Sequence, residues 1–127
     1  MIVDSSAVVA ILLRQPGYEP LLDRLSQAQA AGIGAPTLAE AGIVLAARLG
    51  VVGKTLLARF LQESALVVIP FGEEHWRVAV DAFLRYGRGR HPAGLNFGDC
   101  LTYATARLAG EPLLCLGDDF AKTDLAL

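Results

Sequence analysis

Residues 1–13 have the sequence MIVDSSAVVAILL, and this stretch decides how the rest of the chain is interpreted. Met1-Ile2-Val3 is a short β-prone run that ends at Asp4, and Ser5-Ser6 then lead into the apolar residues Ala7–Leu13. Asp4 is therefore predicted to lie at the carboxyl end of a first strand. The run Ala7–Leu13 is far shorter than the roughly 20 residues that cross a bilayer, so we expect no membrane segment and a cytoplasmic location.

Beyond this stretch, segments with helical periodicity alternate with short β-prone runs. Helices are predicted over Tyr18–Ala30, Thr37–Leu49 with Thr37 as its cap, Gly53–Ala65, Glu73–Tyr86 and Asp99–Ala109. Strands are predicted over Ile33–Pro36, Ala65–Ile69 and Pro112–Leu116, of which the second is typical of a strand covered on both faces. This alternation predicts a single α/β domain over residues 1–127 with a mainly parallel sheet.

The composition limits the class of protein. Hydrophobic residue types make up 54% of the chain, and the formal net charge is −2. This balance excludes intrinsic disorder, which requires low hydrophobicity and high net charge, and it excludes a uniformly basic nucleic-acid coat. Cys100 and Cys115 lack metal-binding spacing, so we expect them to be small buried hydrophobes without a disulfide.

Acidic residues stand at four places where a solvated surface charge is not expected, namely Asp4, Glu40, Asp99 and the pair Asp118-Asp119. If the strands are parallel, these positions open on one edge of the sheet. Carboxylates held close together repel one another, so such a cluster is tolerable mainly when a cation neutralises it. Hard oxygen ligands suit Mg²⁺ or Mn²⁺, which predicts metal-assisted hydrolysis of a phosphodiester.

Each of these acids also has a purely structural interpretation. Thr37-Leu38-Ala39-Glu40 fits a capping box, Asp99 fits a helix cap or first-turn acid, and Asp118-Asp119 fit a turn. Asp4 is the hardest to explain in this way, because it stands between two apolar runs. The joint pattern favours a functional site over four separate structural roles.

The order and spacing of four motifs resemble the PIN-domain ribonucleases of the VapC toxin type. The motifs are Ile2-Val3-Asp4-Ser5-Ser6-Ala7, Ala39-Glu40-Ala41, Gly94-Leu95-Asn96-Phe97-Gly98-Asp99-Cys100, and Gly117-Asp118-Asp119-Phe120 with Thr123-Asp124. The resemblance spans essentially the whole chain. It implies an α/β/α domain, RNA cleavage that depends on Mg²⁺ or Mn²⁺, a VapB-like antitoxin as partner, and a homodimer.

The resemblance also implies roles for individual residues. The catalytic set would be Asp4, Glu40, Asp99 and Asp119, with Asp4 and Asp99 as the principal metal ligands and Glu40 orienting the nucleophile. Asp119 is favoured as the fourth acid because it directly precedes Phe120, whereas counting outward from the strand favours Asp118. Ser6 would hold the site by hydrogen bonding, or else cap a helix, and Asp124 would be a supporting or structural acid. One ion and two ions both remain open.

Local positive charge near Asp99 offers a surface for RNA phosphates. Arg85, Arg88, Arg90 and His91 lie shortly before this acid, although a flexible solvated loop would also carry such charges. Neither His75 nor His91 has a partner for a histidine-based triad. The spacing of Trp76, Val80, Phe83 and Leu84 predicts one apolar stripe that faces the core. Trp76, Tyr86 and Tyr103 could stack on unpaired bases, but their helical spacing favours core or interface roles.

Two other functions are weighed against RNA hydrolysis. Asp4 could be the nucleophile of a phosphotransferase, but Ser6 occupies the place where haloacid-dehalogenase-like phosphatases usually carry a second Asp. A PIN-like binding module could instead recognise operator DNA through its partner. The high apolar content of the chain also predicts that residues 37–61 contribute to an antitoxin groove or a homodimer interface.

Overall fold

Four short strands alternate with three pairs of helices along the chain in a computed structural model that describes all 127 residues. The strands are β1 (Ile2–Val3), β2 (Gly32–Gly34), β3 (Val67–Ile69) and β4 (Leu113–Leu114). The helices are α1 (Ser5–Leu13), α2 (Tyr18–Gln27), α3 (Ala35–Leu49), α4 (Val51–Glu63), α5 (Glu73–Tyr86) and α6 (Phe97–Ala109). A short 3₁₀ turn follows at Phe120–Lys122. Every predicted helix and strand is present, with ends displaced by a few residues.

The four strands form one parallel sheet in the order β3-β2-β1-β4. Ile2 pairs with Gly32 on one side and with Leu113 on the other, and Gly34 pairs with Ile69. The predicted parallel sheet is therefore confirmed. Because the strands are parallel, the segments that follow β1 and β4 and the start of α3 after β2 all open on one edge.

The sheet separates two layers of apolar packing. Val3 and Leu114 pack with α1, α2, α3 and α4 on one face. Their neighbours Ile2 and Leu113 pack with α5 and α6 on the other face. Successive side chains of a strand point to opposite faces, so two residues in each of β1 and β4 are enough to join both layers. The result is the α/β/α arrangement that the family resemblance implies.

β3 differs from the prediction of a strand covered on both faces. Val67 is 63% exposed and Val68 is 43% exposed. The physical reason is the order of the strands, because β3 lies at the edge of the sheet and pairs only with β2. Its apolar run is typical of a buried strand, but strand order is not encoded in the run itself.

The apolar stripe predicted on α5 does not face the core. Its large residues are 40% to 55% exposed, and they are Trp76, Val80, Phe83 and Leu84. The buried residues are Ala79, Ala82 and Tyr86, which belong to the layer shared with α6. Small side chains allow the two helices to approach closely. Ala79 and Ala82 therefore lie in the contact, and the four large residues of the stripe lie outside it.

α3 begins two residues earlier than predicted, and Thr37 is not its cap. Gly34 occupies the cap position, and Pro36 lies in the first turn, where its missing N–H is not needed. Thr37 is buried inside the helix, and its hydroxyl contacts Thr102 of α6. The capping box predicted for Thr37 and Glu40 is therefore absent, because the helix start lies elsewhere.

Two further expectations concern cysteine chemistry and membranes. Cys100 is buried, Cys115 is partly buried, and the two form no disulfide, in line with the prediction. No helix combines the length and the apolar character that crossing a bilayer requires.

Candidate active site

Asp4 is buried at the carboxyl end of β1, where it also caps α1. Its Oδ2 accepts hydrogen bonds from Ser6 Oγ at 2.6 Å and from Ser6 N at 3.2 Å. Its Oδ1 accepts one from Thr102 Oγ1 at 2.8 Å. Ser6 Oγ in turn accepts from Leu116 N at 3.0 Å, so the segment after β4 is tied to the same carboxylate. Asp4 is only 4% exposed, and these hydrogen bonds fix the orientation of its carboxylate.

Asp99 lies in the first turn of α6 and combines a structural role with an unusual electrostatic environment. Its Oδ2 accepts from Asn96 N at 3.1 Å while its own N–H donates to Asn96 Oδ1 at 2.8 Å, which completes a capping box. Burial raises the pKa of Asp99, and the negative charges of Asp4, Asp119 and Glu40 raise it further, against the lowering effect of the Asn96 hydrogen bond. The capping interpretation of Asp99 is therefore confirmed, and the charges of the other acids also act on this carboxyl.

Glu40 projects from α3 toward the start of α6. Its Oε1 accepts a hydrogen bond from Ser5 Oγ at 3.1 Å. Its carboxylate lies against Gly98, where an added Cβ would be 2.8 Å from Oε2 and 2.9 Å from Oε1. Glu40 is exposed, and its Oε2 accepts no hydrogen bond from the protein. This oxygen is free to contact water or substrate.

The two candidates for the fourth acid are both exposed in the turn after β4. Gly117 makes this turn with φ +88°, and the buried Phe120 anchors its far end. Asp119 is one of the charges that raise the pKa of Asp99. The pKa of Cys115 is raised to about 11, chiefly by burial and then by Asp4, with smaller contributions from Asp99 and Asp119. Asp119 is thus electrostatically part of the acidic cluster.

Asp124 belongs to a separate polar cluster. Tyr103 Oη donates to Asp124 Oδ1 at 2.7 Å, and Arg107 and Arg85 approach Oδ2 at 3.1 Å and 3.4 Å. The Tyr103 bond and the two arginines lower the pKa of Asp124, while burial and this same bond raise the pKa of Tyr103 to about 12. Asp124 therefore ties the C-terminal segment to α5 and α6 and makes no hydrogen bond to the four acids.

The three arginines expected to bind RNA occupy different environments. Arg85 is ion-paired with Asp124 and stacks over Tyr86 at 4.8 Å. Arg88 and Arg90 lie in the exposed loop between α5 and α6 and form no ion pair. The Arg90 guanidinium lies 5.5 Å above the Phe83 ring. Arg88 and Arg90 are thus the free cations on the approach to α6.

The donor chemistry of the cluster fits a divalent cation, but only as an open site. No group of three or more His, Cys, Asp or Glu side chains is arranged to hold a metal ion by itself. Mg²⁺ is usually bound in phosphoryl-transfer sites by one or two carboxylates, with water and substrate phosphate as its other ligands. Asp4 and Asp99, which interact electrostatically across this edge, match such a two-carboxylate set.

The sequence does not point to Thr102 or Gly98 individually, and it predicts Thr37 as a helix cap instead of the buried position that this residue occupies. Thr102 and Thr37 lie behind Asp4, and Gly98 leaves room for Glu40. Thr102 follows Asp99 by one helical turn, and a polar residue at that spacing within an apolar helix is the signal that could have identified it. Gly98 has no local signal, because its importance depends on a side chain from α3.

Comparison with known proteins gives a consistent picture. A family model described as PIN domain matches residues 1–125. The chain is 50% identical over 126 residues to Ribonuclease VapC36 of Mycobacterium tuberculosis, covering 98% of this chain and 91% of the relative. It is 36% identical over 126 residues to Ribonuclease VapC of Mycolicibacterium smegmatis, covering 99% and 98%. A crystal structure of Mycobacterium tuberculosis VapC20, a Sarcin-Ricin loop cleaving toxin, has the same fold, with a TM-score of 0.79 at 18% identity over 98% of this chain and 95% of that one.

Proposed function

Since this chain belongs to the PIN-domain family, among its VapC ribonucleases, we propose that it is a toxin that hydrolyses RNA phosphodiester bonds with a carboxylate-bound Mg²⁺ or Mn²⁺. The observation that carries the proposal is the meeting of acids from separate elements at one sheet edge. Asp4 follows β1, Glu40 comes from α3, and Asp99 begins α6. Asp119 reaches the same cluster from the turn after β4.

In this proposal, Asp4 and Asp99 would hold the ion. When bound, the ion supplies a water of lowered pKa and stabilises negative charge on the phosphate oxygens. Ser6 keeps the Asp4 carboxylate oriented through its hydroxyl and its backbone N–H. Glu40 orients the attacking water through Oε2, the oxygen that makes no hydrogen bond within the protein. Asp119 would add a further negative charge that acts on Asp99 and complete the acidic set.

RNA would approach from the loop between α5 and α6. Arg88 and Arg90 are exposed and free of ion pairs, so they can neutralise phosphates without breaking a salt bridge. Arg85 would contribute less, because it is already paired with Asp124. The loop leads directly into Asn96 and the first turn of α6, which brings bound RNA toward Asp99.

A VapB-like antitoxin and a second copy of the chain are the proposed protein partners, and residues 37–61 are the proposed contact region. Ile43 is 71% exposed and Val51 is 83% exposed. Exposed apolar side chains that form a patch mark a surface that a partner protein covers. Light scattering on the chain alone and with its antitoxin would test this assignment. A monodisperse monomer that binds no antitoxin would contradict it.

Metal removal and restoration on the purified chain test the enzymatic proposal. Single-stranded RNA should be cleaved with Mg²⁺, remain intact with excess EDTA, and be cleaved again when Mg²⁺ is restored. DNA of the same sequence serves as the control for substrate class. Cleavage that continues undiminished in EDTA would exclude the proposed mechanism.

A further inference from the structure

Two buried threonine hydroxyls connect the elements that carry the acids. Thr37 of α3 is 3% exposed and Thr102 of α6 is 1% exposed, and their Oγ1 atoms are 3.0 Å apart. Thr102 Oγ1 also donates to Asp4 Oδ1 at 2.8 Å. Hydroxyl groups in an otherwise apolar interior are costly unless they are paired, and here each is paired with the other or with Asp4.

The direction of these hydrogen bonds follows from the number of protons. A threonine hydroxyl has one hydrogen, and an ionised carboxylate can only accept. Thr102 uses its hydrogen on Asp4, so Thr37 must be the donor in the bond between the two threonines. The two hydroxyl groups therefore form a chain in which Thr37 donates to Thr102 and Thr102 donates to Asp4 Oδ1.

The helical spacing places this pair one turn from the acids. Thr102 follows Asp99 by three residues on α6, and Thr37 precedes Glu40 by three residues on α3. Residues with this spacing lie on the same face of a helix. The hydroxyl pair therefore fixes the separation of α3 and α6 close to the positions from which Glu40 and Asp99 project.

The hydrogen bonds of Asp4 leave one of its oxygens partly free. A carboxylate has about four acceptor positions, two on each oxygen. Oδ2 receives two donors, both from Ser6, whereas Oδ1 receives only Thr102. Oδ1 therefore keeps one acceptor position for a further ligand, and the Thr102 bond decides where that position points.

From these contacts we infer that Thr102 is a positioning residue for metal binding, supported by Thr37, and that it orients Asp4 Oδ1 toward a divalent cation without touching the cation or the RNA. The inference rests on the proposed nuclease function, since it assigns a role within the same site. A purely structural role for the two hydroxyls is the alternative to be excluded.

A set of threonine variants separates the two roles. Thr102→Val keeps the shape of the side chain and removes the hydroxyl, while Thr102→Ser keeps the hydroxyl. Thr102→Val also leaves the buried Thr37 hydroxyl without its partner, which lowers stability. The double variant Thr37→Val/Thr102→Val removes that unpaired hydroxyl, so it should recover stability without recovering the bond to Asp4.

The decisive measurement is Mn²⁺ binding to the RNA-free protein, with free Mn²⁺ detected by its electron paramagnetic resonance signal. Thermal unfolding is measured on the same variants. Thr102→Val should weaken Mn²⁺ binding by about 10- to 100-fold, the range usual for residues that orient metal ligands, and Thr102→Ser should largely retain it. The double variant should unfold at a higher temperature than Thr102→Val while binding Mn²⁺ just as weakly.

Wild-type Mn²⁺ affinity in Thr102→Val, or affinity that returns together with stability in the double variant, would overturn the inference. Should Thr102→Val fail to fold, the double variant and Thr102→Ser provide the same comparison. Asp4→Asn tests the proposed metal site separately from the role of Thr102. If this variant binds Mn²⁺ as tightly as the wild type, the proposed metal site itself is wrong, irrespective of Thr102.

Discussion

The Glu40 carboxylate lies directly against Gly98, because a Cβ at residue 98 would come within 2.8 Å of Glu40 Oε2. This contact joins α3 to the first turn of α6, one residue before Asp99. The missing side chain of Gly98 thus sets how close Glu40 can come to the other acids.

We expect Gly98→Ala to lower RNA cleavage by about 10- to 100-fold, because the added methyl overlaps the Glu40 carboxylate and displaces it. Stability should be unchanged or higher, since alanine favours a helix by about 1 kcal/mol over glycine. Steady-state cleavage rates and thermal unfolding measure the two effects separately. Gly72→Ala is a suitable control, because a Cβ there meets nothing closer than 4.0 Å. Full activity of Gly98→Ala would show that the position of Glu40 is not critical.

Asp99→Asn should stabilise the metal-free protein while abolishing cleavage. Burial and the neighbouring acids raise the pKa of Asp99, so the folded state holds this proton more tightly than the unfolded chain does. The ionised carboxyl therefore costs stability above its folded pKa, and this cost disappears below the unfolded value of about 3.9. In EDTA at pH 7, the variant should unfold a few degrees above the wild type, and the difference should shrink as the pH falls toward 4. A lower unfolding temperature at pH 7 would contradict this assignment.

Asp124→Ala should affect stability and leave metal binding intact. The variant removes the acceptor of the buried Tyr103 hydroxyl and the partner of two arginines, which we expect to cost about 1–2 kcal/mol of unfolding free energy. The pKa of Asp124 is lowered in the folded state, so its contribution is present above the unfolded pKa and is lost as the pH falls through the folded value. Urea unfolding at pH 7 and at pH 3 should show a deficit that narrows in acid. A loss of Mn²⁺ affinity would instead place Asp124 within the active site.

Arg88→Ala should weaken RNA binding in a salt-dependent manner. Removing one phosphate contact should reduce the slope of log affinity against log salt concentration by about 0.7 for single-stranded RNA. Fluorescence anisotropy with the cleavage-deficient Asp4→Asn protein measures this slope without hydrolysis. Arg59→Ala is the matched control, because Arg59 is exposed on α4 and already paired with Glu63. An identical change in both variants would exclude a specific role for the loop.

The sequence predicts features that arise from short segments. A strand followed directly by an acid identifies Asp4, and alternating helices and strands indicate the parallel sheet that brings the acids to one edge. Strand order is not local, so the exposed edge position of Val67 was not predictable from its apolar run. The spacing of Thr102 from Asp99 could have drawn attention to this residue, but its hydrogen bond to Asp4 joins residues 98 positions apart and depends on the tertiary fold. Likewise, only the close approach of α5 and α6 explains why Ala79 is buried while Trp76 is not.

The rate of RNA cleavage by Asp4→Asn in saturating Mg²⁺ shows whether hydrolysis depends on the Asp4 carboxylate. Asparagine has nearly the same shape as aspartate, and its side-chain oxygen can still accept from Ser6 Oγ and Ser6 N. The variant should therefore remain folded by circular dichroism and lose at least about 100-fold in rate, since a charged ligand of the proposed cation is gone. A folded Asp4→Asn protein that cleaves RNA at the wild-type rate would contradict the account.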